Sequence, residues 1–432
     1  EIGGLIKIVE KTLKGNIFYA QSGGVTPVIN ATAAGLIDAY LKNKKHFGKF
    51  FIGKNGILGA LREELIDISK ESKSELNLLK KTPGGAFGSC RLKLNDFQKS
   101  KEDFERLYIV FKKHNIKYFF YNGGGDSQDT TNKVSKFFKE KNYPIICIGL
   151  PKTIDNDLPI TDNCPGFGSV AKYIATSTLE ASLDVKSMSE TSTKIFILEV
   201  MGRHAGWLAA SAGVIKQVAE DPPHIILFPE IEFKEKVFIK KVKEITNKFG
   251  YCVIVASEGI KNSKNQFLSD SGLKDSFGHS QLGGVAPVLS ELITNKLKLK
   301  VHWAVSDYLQ RAARHIGSKV DVDQAYSLGS AGIKYAKKNI NDVMLTIKNI
   351  SSNEKYKWSI SHTKLDKVAN VEKKLPKNFI KKNGFEITNP CKKYILNLIK
   401  GEDYPTYKFG FPRYAKLKCS TITKKLPSYK LK

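Results

Sequence analysis

The chain has 432 residues and a formal net charge of +28, with 70 lysines and arginines against 42 aspartates and glutamates. Hydrophobic residues make up 41% of it and aromatic residues 10%, a globular composition that excludes disorder over most of the length. No apolar run approaches the roughly 18–20 residues of a membrane span and no signal-peptide pattern opens the chain, so we expect neither a membrane partner nor export.

The positive charge comes mostly from lysines spread over the whole chain. No arginine-rich arm, helix-turn-helix or RNP-like motif accompanies them, so we attribute the charge to lysine-biased composition and to attraction of an anionic substrate, and we expect no nucleic-acid partner. The six cysteines lie far apart without CxxC spacing, which argues against a zinc ribbon or a disulfide framework. This cysteine usage indicates a reducing, cytoplasmic location.

The first part of the chain predicts a strand, a glycine turn and a helix, the usual start of a doubly wound α/β domain. These three elements cover residues 16–20, 21–27 and 28–41. The Ser22–Gly24 turn is either a tight turn alone or part of a phosphate-binding loop.

A second glycine-rich loop covers residues 83–91 and ends in Arg91, before a predicted helix at 101–113. An arginine that leaves a glycine loop can place two donors on phosphate oxygens, although an ordinary surface ion pair is an equal alternative at this point.

Two strand–loop units follow between residues 117 and 157. The first has an aromatic strand at 117–121, the loop Gly123–Ser127 with Asp126 inside it, and a helix to about residue 140. The second has a strand at 145–149 followed directly by Pro151–Asp157, whose sequence is PKTIDND. Glycines at the carboxyl end of a strand let the backbone approach an anion, and a carboxylate in such a loop usually holds a metal or a proton.

The same arrangement of strand and motif recurs downstream, which predicts a second α/β unit facing the first. The motifs Met201–Arg203, Ser257–Gly259 and Tyr308–Arg311 each follow a predicted strand. Those strands cover residues 194–200, 252–256 and 301–305, and helices are predicted at 169–185, 207–212, 285–297 and 320–338. After about residue 339 the periodicity weakens, and we expect mostly irregular structure that wraps the core.

Phosphoryl transfer to a sugar hydroxyl needs a cradle for the donor, a metal that spreads charge and a base directed at the acceptor. The glycine loops and Arg91 supply the cradle, and Asp126 is the carboxylate best placed for Mg²⁺. Asp155 and Asp157 lie two positions apart on an extended loop, so one can act as the base while the other orients it; an Asx-type turn is the alternative explanation. Lys152 is a cation close to the transferring group.

These motifs, in this order and at these spacings, resemble the 6-phosphofructokinase family over roughly residues 16 to 420. The Thr-Ile-Asp-Asn-Asp and Met-Gly-Arg signatures are highly specific together. Asp126 and Lys152 occupy positions where ATP-dependent members have Gly, as in the diphosphate-dependent branch. The resemblance implies a reversible, Mg²⁺-dependent transfer of phosphoryl from diphosphate to fructose 6-phosphate; an ATP-dependent enzyme and an inactive phosphate- or nucleic-acid-binding relative are the alternatives.

The resemblance also implies roles for individual residues. Asp155, Asp126 and Lys152 would be catalytic, with Asp155 the proton acceptor, and Asp126 and Asp157 would hold the metal. The diphosphate would contact Gly23, Gly24, Arg91, Gly124 and Ser127. The sugar phosphate would contact Thr153, Ile154, Asp155, Met201, Gly202, Arg203, Glu258, Tyr308, Leu309, Gln310 and Arg311, with Lys194 and His302 where ATP enzymes place two arginines from a neighbouring subunit.

The implied fold is two doubly wound, Rossmann-like α/β domains that face each other across a cleft, in a homodimer with shared sites. We expect a donor domain at residues 1–160 plus about 306–345, a sugar-phosphate domain at about 161–305 and a C-terminal extension at about 346–432. Two features depart from the common family pattern. Gly125 stands where the family's commoner loop has another Asp, and residues 277–297 form an insertion in which His279 is expected to have a structural role.

Overall fold

The computed structural model describes residues 13–269, 284–352 and 355–431. Its strands are β1 Asn16–Gln21, β2 Phe50–Gly53, β3 Leu65–Asp67, β4 Ile116–Gly123, β5 Ile146–Pro151, β6 Ile195–Val200, β7 Ile225–Leu227, β8 Cys252–Ser257, β9 Val301–Val305, β10 Val343–Asn349, β11 Trp358–Lys364, β12 Tyr407–Lys408 and β13 Phe411–Pro412. Its α-helices are α1 Ile29–Leu41, α2 Ile57–Leu61, α3 Lys73–Leu79, α4 Lys101–Lys113, α5 Gly125–Glu140, α6 Phe167–Met188, α7 Trp207–Ser211, α8 Glu235–Phe249, α9 Val285–Leu297, α10 Asp307–Ala312, α11 Lys319–Lys337 and α12 Asn389–Leu398.

Two sheets organise the chain. The first has seven strands in the order β11-β10-β5-β4-β1-β2-β3, parallel in its centre and antiparallel at both edges. The second has four parallel strands in the order β7-β8-β6-β9. The predicted α/β class with two sheets is confirmed. No helix within the described ranges is both long and apolar enough to cross a membrane.

Aromatic side chains fill the core beneath the first sheet. The rings of Phe18 and Phe111 lie 5.1 Å apart, and those of Phe111 and Phe119 lie 5.7 Å apart. All three side chains are fully buried, in tilted or edge-to-face contacts of the kind that aromatic pairs favour. Because β1, β4 and β5 are parallel neighbours above this core, their carboxyl ends meet at one edge of the sheet, where the predicted glycine loops lie.

Helices α1 and α11 cross closely behind the same sheet. A Cβ added to Gly35 of α1 would lie 2.0 Å from the carbonyl oxygen of Tyr326, and one added to Gly329 of α11 would lie 2.0 Å from that of Thr32. Neither position has room for a side chain, since both neighbours are backbone atoms. The helix that follows the Ser22–Gly24 loop is therefore fixed directly against α11.

The segment after residue 339 has more regular structure than the sequence predicts. Irregular backbone does dominate it, but β10 and β11 complete the first sheet, and α12 packs Cys391, Ile395 and Leu398 into the core of the second unit. The sequence signal was weak for a physical reason. Strand β10 is a short apolar run, and β11 is an edge strand whose side chains are mostly half-buried.

The last residues, 413–431, which we call the C-terminal strap, return to the first sheet. Buried carboxylates of the first unit accept hydrogen bonds from strap backbone N–H groups. Glu63 accepts from Lys425 at 2.7 Å and Leu426 at 3.0 Å, and Glu71 accepts from Cys419 at 2.7 Å. Glu63 also contacts the Nε2 atom of His114 at 2.7 Å. The strap is thus held mainly through its backbone, which a sequence motif does not reveal.

Replacing Glu63 by Ala is expected to destabilise the protein by about 3–5 kcal/mol, because it leaves the buried His114 ring and two N–H groups of the strap without their acceptor. The neighbouring Glu64→Ala serves as a matched control. Glu64 makes only a partly exposed ion pair with Lys424 at 3.6 Å, so its loss should cost less than about 1 kcal/mol. Denaturant unfolding measures both values; equal effects would contradict the role assigned to Glu63.

Candidate active site

Three loops meet at the carboxyl ends of β1 and β4. The hydroxyl of Ser127 donates to that of Ser22 at 2.8 Å, and the N–H of Gly23 donates to the carbonyl of Cys90 at 2.9 Å. Gly123 lies at the closest point, where an added Cβ would be 2.0 Å from the Ser127 hydroxyl oxygen. The structure therefore brings the three predicted glycine loops together into one cradle.

Three cationic side chains converge on this cradle. The Nζ atom of Lys152 donates to the carbonyl oxygen of Gly24 at 2.5 Å. A Cβ added to Gly24 would lie 2.9 Å from Arg311 Nη1 and 3.5 Å from Arg91 Nη2. Burial of Lys152, together with the charges of Arg91 and Arg311, lowers the pKa of its amine to about 7. An anion bound between these groups would relieve their repulsion and restore the lysine's charge.

The guanidinium of Arg311, which is predicted to contact the sugar phosphate, reaches the glycine cradle beside Gly24. It also stacks over the ring of Tyr308, with 3.9 Å from Cζ to the ring centroid. Tyr308 and Leu309 are exposed at 63% and 68%, whereas Gln310 is fully buried and accepts a hydrogen bond from Met201 N–H at 3.3 Å. Helix α10 therefore connects the cradle to the end of β6, and the buried side chain of Gln310 stabilises this connection through its hydrogen bond with Met201.

The loop after β5 presents two carboxylates around a fixed asparagine. Asn156 has a φ of +55°, and its side chain accepts from Cys164 N–H at 2.9 Å and donates to the Tyr394 hydroxyl at 2.8 Å. Asn156 is fully buried, while Asp155 and Asp157 are only partly so. This alternation supports the predicted placement of the two carboxylates on one side of the loop.

Both carboxyl groups hold their protons more tightly than usual. Burial, then the charge of Glu258, raises the pKa of Asp155 to about 6, although Lys152 and Arg203 act in the opposite direction. Burial and the neighbouring Asp155 raise the pKa of Asp157 to about 7. A carboxylate with a pKa in this range can accept a proton near neutral pH, so the pair has the properties of a general base.

The motifs that end β6 and β8 lie beside these carboxylates. Gly202 has a φ of +126°, and its N–H donates to Glu258 Oε1 at 3.3 Å. Burial raises the pKa of Glu258, while the charge of Arg203 lowers it. Arg203 thus acts electrostatically on both Glu258 and Asp155, which joins the second unit to the loop after β5.

Asp126, the predicted metal ligand, occupies the first turn of α5. Its Oδ1 atom pairs with Lys93 Nζ at 2.7 Å. Lys93 is not among the predicted site residues, although it lies only two residues after Arg91 in the same loop. The nearby Asp129 is almost fully buried and pairs with Lys133 at 2.7 Å, which makes it the less accessible carboxylate.

A second functional candidate that the sequence analysis missed is Glu372, in the segment between β11 and α12. Its carboxylate raises the pKa of both Asp155 and Asp157, and it lies 3.3 Å from His204 Nδ1. The next residue, Lys373, donates its backbone N–H to the carbonyl of Asp157 at 2.6 Å. No motif marks Glu372, because its approach to the site depends on how the C-terminal segment folds back.

Lys194 and His302 are not brought to this site within one chain. Lys194 precedes β6 and His302 is the second residue of β9, whereas the motif residues follow the opposite ends of these parallel strands. The predicted loop at residues 277–284 and His279 lie almost wholly outside the described residues.

Mg²⁺ fits the residues that are present. No group of three or more potential metal ligands occurs among the described residues, but Mg²⁺ usually takes one or two carboxylates together with substrate oxygens and water. The charge of Asp155 also helps to raise the pKa of Asp157, so a divalent cation near the pair would stabilise their charged forms.

Comparison with known proteins gives a consistent result. The family model "Phosphofructokinase" matches residues 16–334. A pyrophosphate–fructose 6-phosphate 1-phosphotransferase from Halomonas elongata is 55% identical over 96% of this chain and 99% of its own, and one from Methylococcus capsulatus is 52% identical over 95% and 98%. The crystal structure of a pyrophosphate-dependent phosphofructokinase from Marinobacter aquaeolei is 53% identical and superposes with a TM-score of 0.88, covering 96% of this chain and all of that one.

Replacing Asp155 by Asn is expected to raise the melting temperature by roughly 1–4 °C at pH 8. The folded state raises the pKa of Asp155 from the usual ~3.9 to about 6, so the charged carboxylate destabilises the fold above pH 6. The gain should disappear as the pH falls to about 4, where the carboxyl is protonated in the folded state.

Scanning calorimetry at both pH values measures this difference. Asp184→Asn, at an exposed position of α6, is the control and should change stability by less than about 0.5 kcal/mol at either pH. If Asp155→Asn does not raise the melting temperature at pH 8, the charged form of Asp155 does not destabilise the folded state.

Proposed function

The chain belongs to the phosphofructokinase family, and we propose that it transfers a phosphoryl group reversibly from diphosphate to the 1-hydroxyl of fructose 6-phosphate. The products are fructose 1,6-bisphosphate and phosphate, as in a step of glycolysis. Relatives that are 52–55% identical over nearly the whole chain carry the name of this activity. The observation that carries the choice of donor is Lys152 buried beneath the cradle, with Asp126 at the start of α5.

Diphosphate brings no adenosine binding energy, so its site must hold it by charge alone. Lys152, Arg91 and Arg311 supply that charge around Gly24. Asp126 stands where a nucleotide's α-phosphate would pass and would repel it. The cradle residues Gly23, Gly24, Gly124 and Ser127 let the donor's oxygens approach the backbone and the start of α5.

The proton and the phosphoryl group move in one displacement. The Asp155 carboxylate accepts the proton of the 1-hydroxyl while that oxygen attacks the near phosphorus of diphosphate, and phosphate leaves with the bridging oxygen. Lys152 stabilises the charge that develops on the transferring group. Burial and the charge of Glu258 keep the pKa of Asp155 in the range in which it can act as the base.

Acceptor binding is assigned to the motifs of the second unit and the loop after β5. Arg203 and Arg311 would contact the sugar phosphate, with Arg311 also reaching the donor, and Glu258 would accept from sugar hydroxyls. Backbone and side-chain contacts are proposed for Thr153, Ile154, Met201, Gly202, Tyr308, Leu309 and Gln310. The donor domain is residues 1–160 with about 306–345, and the acceptor domain is about 161–305.

Mg²⁺ is the proposed cofactor, held by Asp126 and Asp157. When bound, it would neutralise phosphate charge and favour the in-line displacement. Asp126 and Asp157 would then hold the metal, and Asp155 would act as the base. This division explains why so many acidic groups lie beside an anion site.

We place Lys194 and His302 in the site of a second subunit of a cytoplasmic homodimer. His302 lies on β9, the edge strand of its sheet, with Trp303 46% exposed, and Lys194 directly precedes the neighbouring strand β6. Such an edge with exposed apolar side chains suits pairing with another copy. Light scattering that gives the mass of a single chain at assay concentrations would contradict this assembly.

Steady-state assays with diphosphate and with ATP, each with fructose 6-phosphate and Mg²⁺, test the proposed function. We expect turnover with diphosphate and at most traces with ATP, because ATP must place its α-phosphate against Asp126. Robust turnover with ATP and none with diphosphate would overturn the proposal. Turnover with neither donor, together with salt-sensitive nucleic-acid binding, would favour a binding protein instead.

Replacing Asp155 by Asn should lower kcat on the order of 10²–10⁴-fold, because the amide cannot accept the hydroxyl proton. The KM for fructose 6-phosphate should change little, since Asn keeps the shape of the side chain. Asp162→Asn, nearby but outside the proposed site, is the matched control for kcat. An unchanged kcat in Asp155→Asn would place the base elsewhere.

A further inference from the structure

Asp126 creates an electrostatic problem that the proposed function does not by itself resolve. A carboxylate that repels a nucleotide's α-phosphate also repels diphosphate, which is itself highly charged. At separations of several ångströms in a partly buried site, such repulsion weakens binding substantially. The proposed Mg²⁺ would offset part of this charge, but it also has to neutralise the diphosphate. A site that keeps Asp126 and still binds diphosphate therefore needs a further positive charge beside Asp126 that leaves the bulk of its side chain in place.

Lys93 meets this requirement by its position. Its Nζ atom lies 2.7 Å from Asp126 Oδ1, a charge-assisted contact, and the two side chains are 36% and 31% exposed. The pair is therefore neither fully solvated nor fully buried. Lys93 is two residues beyond Arg91, so one loop carries both a cation of the cradle and the counter-ion of Asp126.

The backbone on the C-terminal side of Lys93 is fixed, so the pairing does not depend on a loose loop. The side chain of Leu94 is fully buried in the core beneath the first sheet. Lys133 of α5 donates to the carbonyl oxygen of Leu94 at 3.3 Å and pairs with Asp129 at 2.7 Å. The loop and the helix are thus joined by two lysines, Lys93 paired with Asp126 and Lys133 paired with Asp129.

We propose that Lys93 is a specificity-determining residue, the counter-ion that neutralises Asp126 so that the site excludes nucleotides by shape while it still admits diphosphate. This proposal rests on the proposed function. Lys93 acts through Asp126 and does not need to touch the donor. Its contribution is to donor binding, with little effect on the chemical step.

Two measurements test this role: the Kd of diphosphate by titration calorimetry at fixed Mg²⁺ and low salt, and the donor KM and kcat. Lys93→Met keeps the length of the side chain without its charge, and it should raise Kd and KM roughly tenfold with kcat within about twofold. Lys93→Arg should restore values near those of the unmodified protein. In an Asp126→Asn background the same Lys93→Met change should alter Kd by less than about threefold.

Lys133→Met is the matched control, because it removes the other lysine between loop and helix. It should lower the melting temperature without changing the Kd of diphosphate. An unchanged Kd in Lys93→Met, or an equal loss in the Asp126→Asn background, would overturn the proposal. If the unmodified protein binds diphosphate without turning it over, the proposed function fails, while the comparison of Kd values still decides the role of Lys93.

Discussion

Mutual repulsion among three cations, of which Lys152 is buried, is the constraint on which the rest of the site depends. Lys152, Arg91 and Arg311 crowd around Gly24, and the pKa of Lys152 falls to about 7 as a result of burial and of the two guanidinium groups. Each cation belongs to a different element: a glycine loop, the end of β5 and helix α10. The backbone contacts among the loops therefore have to hold together groups whose charges repel one another, and this preorganises the site for an anion.

Negatively charged side chains lie close to Lys152, one of these three cations. Burial raises the pKa of Asp155, Asp157 and Glu258; the charges of Glu258 and Glu372 add to it at Asp155, and those of Asp155 and Glu372 add to it at Asp157. A cluster of cations is unfavourable by itself, and so is a cluster of carboxylates. Side by side, the cations suit the binding of a polyanion and the carboxylates suit the removal of a proton. A reaction that needs both explains why the two unfavourable clusters lie together.

Much of this arrangement could be predicted from sequence, because local patterns specify it. Helices α4 and α9 and strand β9 have the predicted bounds, and glycine loops after strands marked the cradle. Side chains that act across long sequence distances were harder to predict. Glu372 enters the site only because the C-terminal segment folds back, and Arg311 reaches the donor loop because α10 bridges two units. Lys93 was overlooked because a lone lysine in a lysine-rich chain gives little signal.

The C-terminal segment has a consequence for how the protein is made. Glu372 lies close enough to Asp155 to raise its pKa, the strap is held by Glu63 and Glu71, and the buried Arg314 pairs with Asp403. Glu63 and Glu71 lie far earlier in the chain than the strap residues that donate hydrogen bonds to them. During synthesis on the ribosome, the carboxylates of Glu63 and Glu71 can gain these hydrogen bonds only after residues 413–431 have been made, so this part of the first unit is completed late.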